Sequence, residues 1–70
     1  MHITYSVHAN DQIIARKLSK IWVEEAIQLP DVLVKEKPNK YYAKKKLNGL
    51  TIEVVYLKER YLKVVTVYLV

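Results

Sequence analysis

The pair Asn48-Gly49 constrains the fold of this chain more than any other feature of its sequence. Both residue types tolerate a positive φ, and strand-like segments flank the pair, so it predicts a two-residue β-hairpin. The segment before the pair reads KYYAKKKL and the segment after it reads LTIEVVYL. A charged turn at 58–60 then leads into YLKVVTVYLV. The near-continuous apolar run of this last segment indicates a strand covered on both faces, in the interior of the sheet.

The first part of the chain changes from a strand period to a helix period. The segment HITYSV alternates between polar and apolar residues and predicts a first strand. Ile14 and Leu18 then lie four residues apart, which is a helical spacing. Asn10 or Asp11 stands where the N-cap of that first helix is expected.

A second helix is predicted after Ser19, which is a good capping residue. Its apolar stripe consists of Trp22, Val23, Ala26 and Ile27. Pro30 ends the segment, because the residue before a proline is disfavoured in the α region. We therefore expect two short helices with a break near Lys17–Leu18, and a single continuous helix is the alternative.

The remaining segment, DVLVKEK, alternates briefly and stops at Pro38-Asn39, which predicts one more strand. The element order is then β-α-α-β-β-β-β. Two short helices packed on one face of a mostly antiparallel sheet is the simple way to bury these apolar faces, so we predict the α+β class. The length of 70 residues indicates a single domain over 1–70.

The charge balance points to polyanions as partners. Lys and Arg number 12 against 7 Asp and Glu, which gives a formal net charge of +5. Such a surface favours nucleic acid or an acidic protein, and a lysine-rich solubilising surface is the alternative. The absence of cysteine fits a reducing cytosol. The start of the chain has no signal-peptide core, and the apolar run at 64–70 is too short to span a bilayer, so we expect a cytoplasmic location without membrane insertion.

The segment from 40 to 47 contains the most informative surface. On a strand, alternate residues share one face, so Lys40, Tyr42, Lys44 and Lys46 project together. The lysines would lie roughly 7 Å apart along the strand, a spacing comparable with the repeat of a nucleic-acid backbone, and the tyrosine could stack on a base. The alternative is a charged edge strand that prevents aggregation. We expect this cationic strip to lie beside a corner formed by His8 and Arg16.

Three residues are candidates for catalysis. His8 falls near the start of the first helix, where a neutral imidazole suits a general base. Arg16 is one of two arginines in a lysine-rich chain and could clasp a phosphate with its planar fork. Tyr68 is a candidate proton donor. No metal site is expected, because His8 and Asp11 lack a nearby third ligand. No cofactor is expected either, because a single glycine cannot build a phosphate-binding loop.

The chain also resembles a family of small domains that open with a pattern such as HA..R...R-G-I-S. The matching residues are His8-Ala9, Arg16, Leu18-Ser19, Val23, Ile27, Pro30-Asp31 and the final strand from Lys63 to Tyr68. That family is similar to the RelE-, ParE- and BrnT-like toxins, which implies a RelE/BrnT-like fold and a ribonuclease toxin paired with an acidic antitoxin. Gln12 stands at the family's first arginine position. Lys17 stands at its glycine position, where a left-handed conformation costs ~1 kcal/mol.

Two hypotheses about function follow from these patterns. In the first, the chain is a metal-independent ribonuclease toxin in which His8 is the general base and Tyr68 is the general acid. Arg16, Lys44 and Lys46 would stabilise the phosphorane. In the second, it is a non-catalytic module that binds nucleic acid or protein through the strip of Lys40, Tyr42, Lys44 and Lys46. An edge strand and a small core also leave room for a homodimer.

Overall fold

The computed structural model describes residues 2–70, and these form one five-stranded sheet with two helices. The strand order is β1-β5-β4-β3-β2; β1 runs parallel to β5, and the other neighbours are antiparallel. The α+β class and the element order are therefore confirmed. The elements are β1 (Ile3–Tyr5), α1 (Val7–Ala15), α2 (Lys20–Gln28), β2 (Val32–Lys37), β3 (Lys40–Leu47), β4 (Leu50–Lys58) and β5 (Leu62–Leu69).

The first helix begins earlier than the sequence pattern indicated. Ser6 is its N-cap: the residue is extended, and its hydroxyl accepts a hydrogen bond from the Ala9 backbone N–H at 3.0 Å. The prediction of a cap at Asn10 or Asp11 was wrong, because the serine ends β1 and satisfies a free helix donor in the same place. Both polar residues lie inside α1 instead.

The break between the helices lies at Lys17–Leu18, as predicted, and Lys17, directly after the C-cap Arg16, has the left-handed conformation that the family resemblance implied. The φ of Lys17 is +54°, and its N–H donates to the Ile14 carbonyl at 3.1 Å. The Leu18 N–H donates to the Ile13 carbonyl at 2.9 Å. This pair of bonds is a Schellman motif, and its usual apolar contact is supplied because Leu18 and Ile13 are both buried. Ser19 then caps α2 through the Ile21 N–H, as expected.

The hairpin at Asn48-Gly49 is present as predicted. Both residues have positive φ, 51° and 80°, which is the signature of a type I′ turn. The turn places Leu47 opposite Leu50, and it fixes the register of the whole β3–β4 pair. Every residue of β3 is thus paired with a known residue of β4.

Both helices pack on one face of the sheet, and a single apolar core lies between the two layers. The fully buried members of this core are Ala9, Val23, Ala26, Ala43, Ile52, Val54, Val64 and Val67. Within residues 2–70, no helix is long and apolar enough to cross a membrane.

The interior position of β5 was predicted correctly, because it lies between β1 and β4. Its predicted coverage on both faces was wrong. Val64 and Val67 are buried under the helices, whereas Val65, Thr66 and Tyr68 on the strand are only half-buried. β5 carries so many apolar residues because a register shift between Val55 and Tyr56 of β4 changes its alternation, not because a second layer covers it.

The two edges of the sheet differ. β1 has three residues and leaves the far half of β5 without a neighbouring strand. The α1 region covers that half: the Ser6 hydroxyl donates to the Val65 carbonyl at 3.2 Å, and the Gln12 side-chain oxygen accepts from the Val67 N–H at 2.8 Å. At the other edge, all six residues of β2 are exposed.

Candidate nucleic-acid interface

The sheet has one face that no helix covers, and we call it the open face. On β3, Ala43 is fully buried, and Tyr41 and Leu47 pack against the core. The alternate residues therefore project from the other side, which confirms the predicted common face of Lys40, Tyr42, Lys44 and Lys46.

A glutamate on β2 binds the two residues at one end of this strip. Glu36 accepts a hydrogen bond from the Tyr42 hydroxyl at 2.8 Å and forms an ion pair with Lys40 at 3.4 Å. The hydrogen bond from Tyr42, with the neighbouring lysine, lowers the pKa of Glu36, and the Glu36 carboxylate raises the pKa of Lys40. The positive charge of Lys40 is thus partly compensated within the protein by the carboxylate of Glu36.

A row of paired residues crosses the middle of the open face. Lys44 lies directly opposite Glu53, and Glu53 lies directly opposite Tyr68. The Tyr68 hydroxyl donates to a Glu53 carboxylate oxygen at 2.6 Å. This hydrogen bond, followed by burial and the charge of Glu53, raises the pKa of Tyr68 to about 12. The Tyr68 phenol therefore stays protonated, and donates to Glu53, to a higher pH than an ordinary tyrosine.

Within residues 2–70, Lys44 and Lys46 form no ion pair with a carboxylate. Lys45, which points to the helix side, is instead bound to the Leu29 carbonyl at 2.8 Å and to Asp31 at 3.6 Å. The charges of the strip that remain available to a ligand are therefore those of Lys44 and Lys46.

An apolar residue lies at the centre of the open face. Val55 is directly opposite Tyr42 on one side and Thr66 on the other. It is only 5% exposed and lies outside the core cluster. Its neighbours on the sheet therefore shield it, and a half-buried aromatic side chain borders it. Because Val55 is shielded, the half-buried Tyr42 ring beside it is the apolar group that a ligand can reach here.

The predicted catalytic residues are not brought together. His8 is the second residue of α1 and Arg16 is its C-cap, and both are exposed in the helix layer. Eight residues of helix separate them by about 12 Å along the axis. Tyr68 projects from the open face on the other side of the sheet. The expectation that the strip adjoins the His8–Arg16 corner was wrong, because α1 packs on β5 under the sheet while the strip lies on the other side of β3.

The roles of Glu36 and Glu53 on the open face were not predicted from the sequence. For Glu53 the signal was present in the hairpin register: with Asn48-Gly49 as the turn, residue numbers on β3 and β4 pair symmetrically about it, which places Glu53 opposite Lys44. Glu36 lies on β2 at an irregularity in its pairing with β3, so that register does not place it. Gln12 was noted only as a departure from an arginine pattern. Its role as the acceptor for a strand N–H depends on the short β1, which no local pattern indicates.

The helix side of the sheet contains a cleft of about 420 Å³. Its apolar floor is formed by Ile27, Tyr56 and Leu62, which are all buried. Its rim includes His2 and Tyr61, whose rings meet edge to face at 6.1 Å. None of the residues proposed for catalysis or for the strip lines this cleft.

A family model, the domain of unknown function DUF4258, matches residues 5–69 of the chain. The chain belongs to this family. The match includes both helices and β2–β5, so the strip and the glutamates of the open face all lie within the DUF4258 domain. No curated protein and no solved structure matches the chain.

Proposed function

We propose that this DUF4258 domain binds single-stranded nucleic acid, with RNA as the preferred form, across the open face of its sheet. The observation that carries the proposal is the uncovered face itself, on which Lys44 and Lys46, which form no ion pair, lie beside the half-buried Tyr42. Cationic side chains along a groove and aromatic rings for stacking are the two parts that single-strand binders combine.

The arrangement assigns a part to each group. Lys44 and Lys46 would contact successive phosphates, which favour ammonium groups at a regular spacing. Tyr42 would stack on a base, since its hydroxyl bond to Glu36 restrains the ring. Glu53 would keep a negative charge in the middle of the face, where it can accept hydrogen bonds from base amino groups.

The test is fluorescence anisotropy with a labelled single-stranded RNA of mixed sequence, measured over a range of salt concentrations. For each of Lys44→Ala and Lys46→Ala, the slope of log K against log salt should become shallower by about 0.7, the change expected for one lost phosphate contact on a single strand. Tyr42→Ala should cost about 1–3 kcal/mol of binding, and Tyr42→Phe should retain most of it.

The matched control is Lys20→Ala on α2, which removes the same charge from the helix layer, where Lys20 is exposed over the Tyr5 ring. Its salt slope should equal that of the wild type. If Lys20→Ala and Lys44→Ala make the salt slope shallower by the same amount, binding depends on the net charge of the protein and not on the open face.

The resemblance to RelE-, ParE- and BrnT-like toxins supports a competing proposal, a ribonuclease toxin with an acidic antitoxin as its partner. It receives less support from the geometry, because Tyr68 is bound to Glu53 on the opposite side of the sheet from His8 and Arg16. Incubation of the same RNA with the protein in EDTA separates the two. Cleavage that is lost in His8→Ala and Arg16→Ala would favour the nuclease, and binding without cleavage favours the open face.

A further inference from the structure

The bare edge of the sheet carries an apolar segment. Val32, Leu33 and Val34 of β2 are 50%, 49% and 52% exposed, and β2 is paired only with β3. Its outer side therefore presents unpaired backbone N–H and carbonyl groups next to three large apolar side chains. Such an edge is a template for pairing with another strand.

We propose that the occupant of this edge is β2 of a second copy of the chain, paired antiparallel about a two-fold axis at Leu33. The proposal does not depend on nucleic-acid binding. A two-fold axis makes the same segment serve both partners, so one self-complementary segment is sufficient.

The sequence of β2 selects this register. With the axis at Leu33, Leu33 faces its own copy and Val32 faces Val34, so apolar residues oppose apolar residues. Asp31 faces Lys35, so no like charges are opposed, and the Asp31 carboxylate keeps its bonds to Lys45 and the Lys46 N–H of its own chain. With the axis at Val34, Leu33 instead faces Lys35. An axis at Lys35 places two lysines directly opposite each other, which is destabilising.

An axis that passes between two residues is excluded by the pleat. It would oppose Leu33 to Val34, which project to opposite faces of the sheet because they pair with Ala43 and Tyr42, whereas directly opposed residues of an antiparallel pair share a face. The register at Leu33 is thus the one in which Val32, Leu33 and Val34 all oppose apolar residues and no like charges meet.

The dimer would extend the sheet to ten strands. Directly opposed residues of an antiparallel pair share a face, so the open faces of both copies lie on the same side. The two β3 strands would be separated by three strand spacings, about 14 Å. A six-residue strand pair is smaller than a standard stable interface, so we expect association at concentrations of about 10 μM to 1 mM.

The first measurement is the mass of the wild-type protein by sedimentation over that range. The average mass should rise from 8.2 kDa toward twice that value. Leu33→Lys, a change at a half-exposed position, should remain at the monomer mass because two lysines would meet on the axis. Lys44→Ala should dimerise like the wild type. A wild-type mass that stays at the monomer value at about 1 mM would overturn the proposal.

The second measurement tests the register by disulfide formation, since the chain contains no cysteine. Leu33→Cys should cross-link readily in a glutathione redox buffer, because opposed Cα atoms lie about 4.5–5.5 Å apart, within disulfide range. Val34→Cys alone should cross-link poorly, because its copies would lie about 8 Å apart across the axis. A mixture of Val32→Cys and Val34→Cys should form the mixed dimer.

Circular dichroism of each cysteine variant checks that the fold is retained. Equal cross-linking of all three single variants, or a dimer in solution without preferential cross-linking at Leu33, would contradict pairing through this edge. Pairing of β2 with a different protein, rather than with itself, would appear as a monomer that does not cross-link, and it would likewise overturn the proposal.

Discussion

The covered face and the open face of the sheet are made by the same strands but by different chemistry. On β4, Ile52 and Val54 are fully buried under the helices, whereas the alternate residues Thr51 and Glu53 are half-buried on the open side. Alternation with a period of two thus divides a strand into residues that hold the helices and residues that meet solvent or a ligand.

The two faces also differ in how their polar groups are used. No polar or charged side chain among residues 2–70 is buried in the core, so the covered face is stabilised by apolar packing. The open face has two tyrosine hydroxyls bonded to glutamates, Tyr42 to Glu36 and Tyr68 to Glu53. We therefore expect changes on the covered face to alter stability and changes on the open face to alter binding.

The largest expected effect follows from truncating the covered face. Ile52→Ala should lower the free energy of unfolding by about 2–5 kcal/mol, because it leaves a cavity under the helices. The neighbouring Thr51→Ala, on the open side of the same strand, should change it by less than about 0.5 kcal/mol. Urea denaturation followed by circular dichroism measures both. Similar losses for the two variants would mean that the open face contributes to stability as much as the covered face does.

A smaller effect is expected where α1 covers the edge of β5. Gln12→Ala removes the acceptor of the Val67 N–H and leaves a partly buried donor without a partner, which should cost about 1–2 kcal/mol. Gln12→Glu keeps an oxygen in that place and should cost less. The exposed Gln28→Ala on α2 serves as the control for the loss of a glutamine side chain, and urea denaturation again provides the comparison. A cost for Gln12→Ala no greater than that of the control would show that solvent satisfies the strand edge.

Much of this division is predictable from sequence because it depends on local rules. Asn48-Gly49 fixes a two-residue turn, the turn fixes the register of β3 and β4, and the register assigns each residue to a face. The helix break at Lys17 was likewise predictable, since a capping serine follows it at Ser19. These features each depend on residues within a few positions of one another.

The features that were not predicted depend on contacts between distant segments. The register shift at Val55 gives β5 its apolar run without a second covering layer. The position of α1 under β5 separates His8 and Arg16 from the strip, and nothing in the local pattern around either residue specifies it. The candidate catalytic set failed as a geometric unit for this reason, although each residue type suited its proposed role.

The third expected effect is a gain in stability on the covered side. Lys17 has a φ of +54°, where its Cβ is crowded, so Lys17→Gly should raise the free energy of unfolding by ~0.5–1 kcal/mol. Lys17→Ala removes the charge but keeps the Cβ, and it should give no such gain. The RNA affinity of Lys17→Gly should remain close to that of the wild type. A large change in affinity with a small change in stability would indicate that the helix layer takes part in binding.

The smallest expected effect on stability comes from the ionisation of two tyrosines, Tyr68 on the open face and Tyr5 on the covered face. They have similar pKa values for different reasons, so they also give the most specific test of the two faces. The pKa of Tyr68 is raised to about 12 mainly by its hydrogen bond to Glu53, whereas the pKa of Tyr5 is raised to about 12 mainly by burial, with Glu24 as the second cause. Tyr5 lies against the core on the covered side.

Glu53→Gln should therefore return the pKa of Tyr68 most of the way toward 10, while Glu24→Gln should leave the pKa of Tyr5 clearly raised. Carbon-13 NMR of the tyrosine rings, assigned with Tyr68→Phe and Tyr5→Phe, follows each group separately. Because both folded-state pKa values are raised, each tyrosine contributes stability that is present below pH 10 and is lost as the pH rises toward 12. In Glu53→Gln the share from Tyr68 should be largely absent, because only the effect of burial and of Tyr42 on its pKa remains, and the alkaline loss should shrink toward the share from Tyr5. The contrary result would be that Glu24→Gln lowers the pKa of Tyr5 as far as Glu53→Gln lowers the pKa of Tyr68. The neighbouring carboxylate would then control both pKa values, and burial under the helices would not distinguish the two tyrosines.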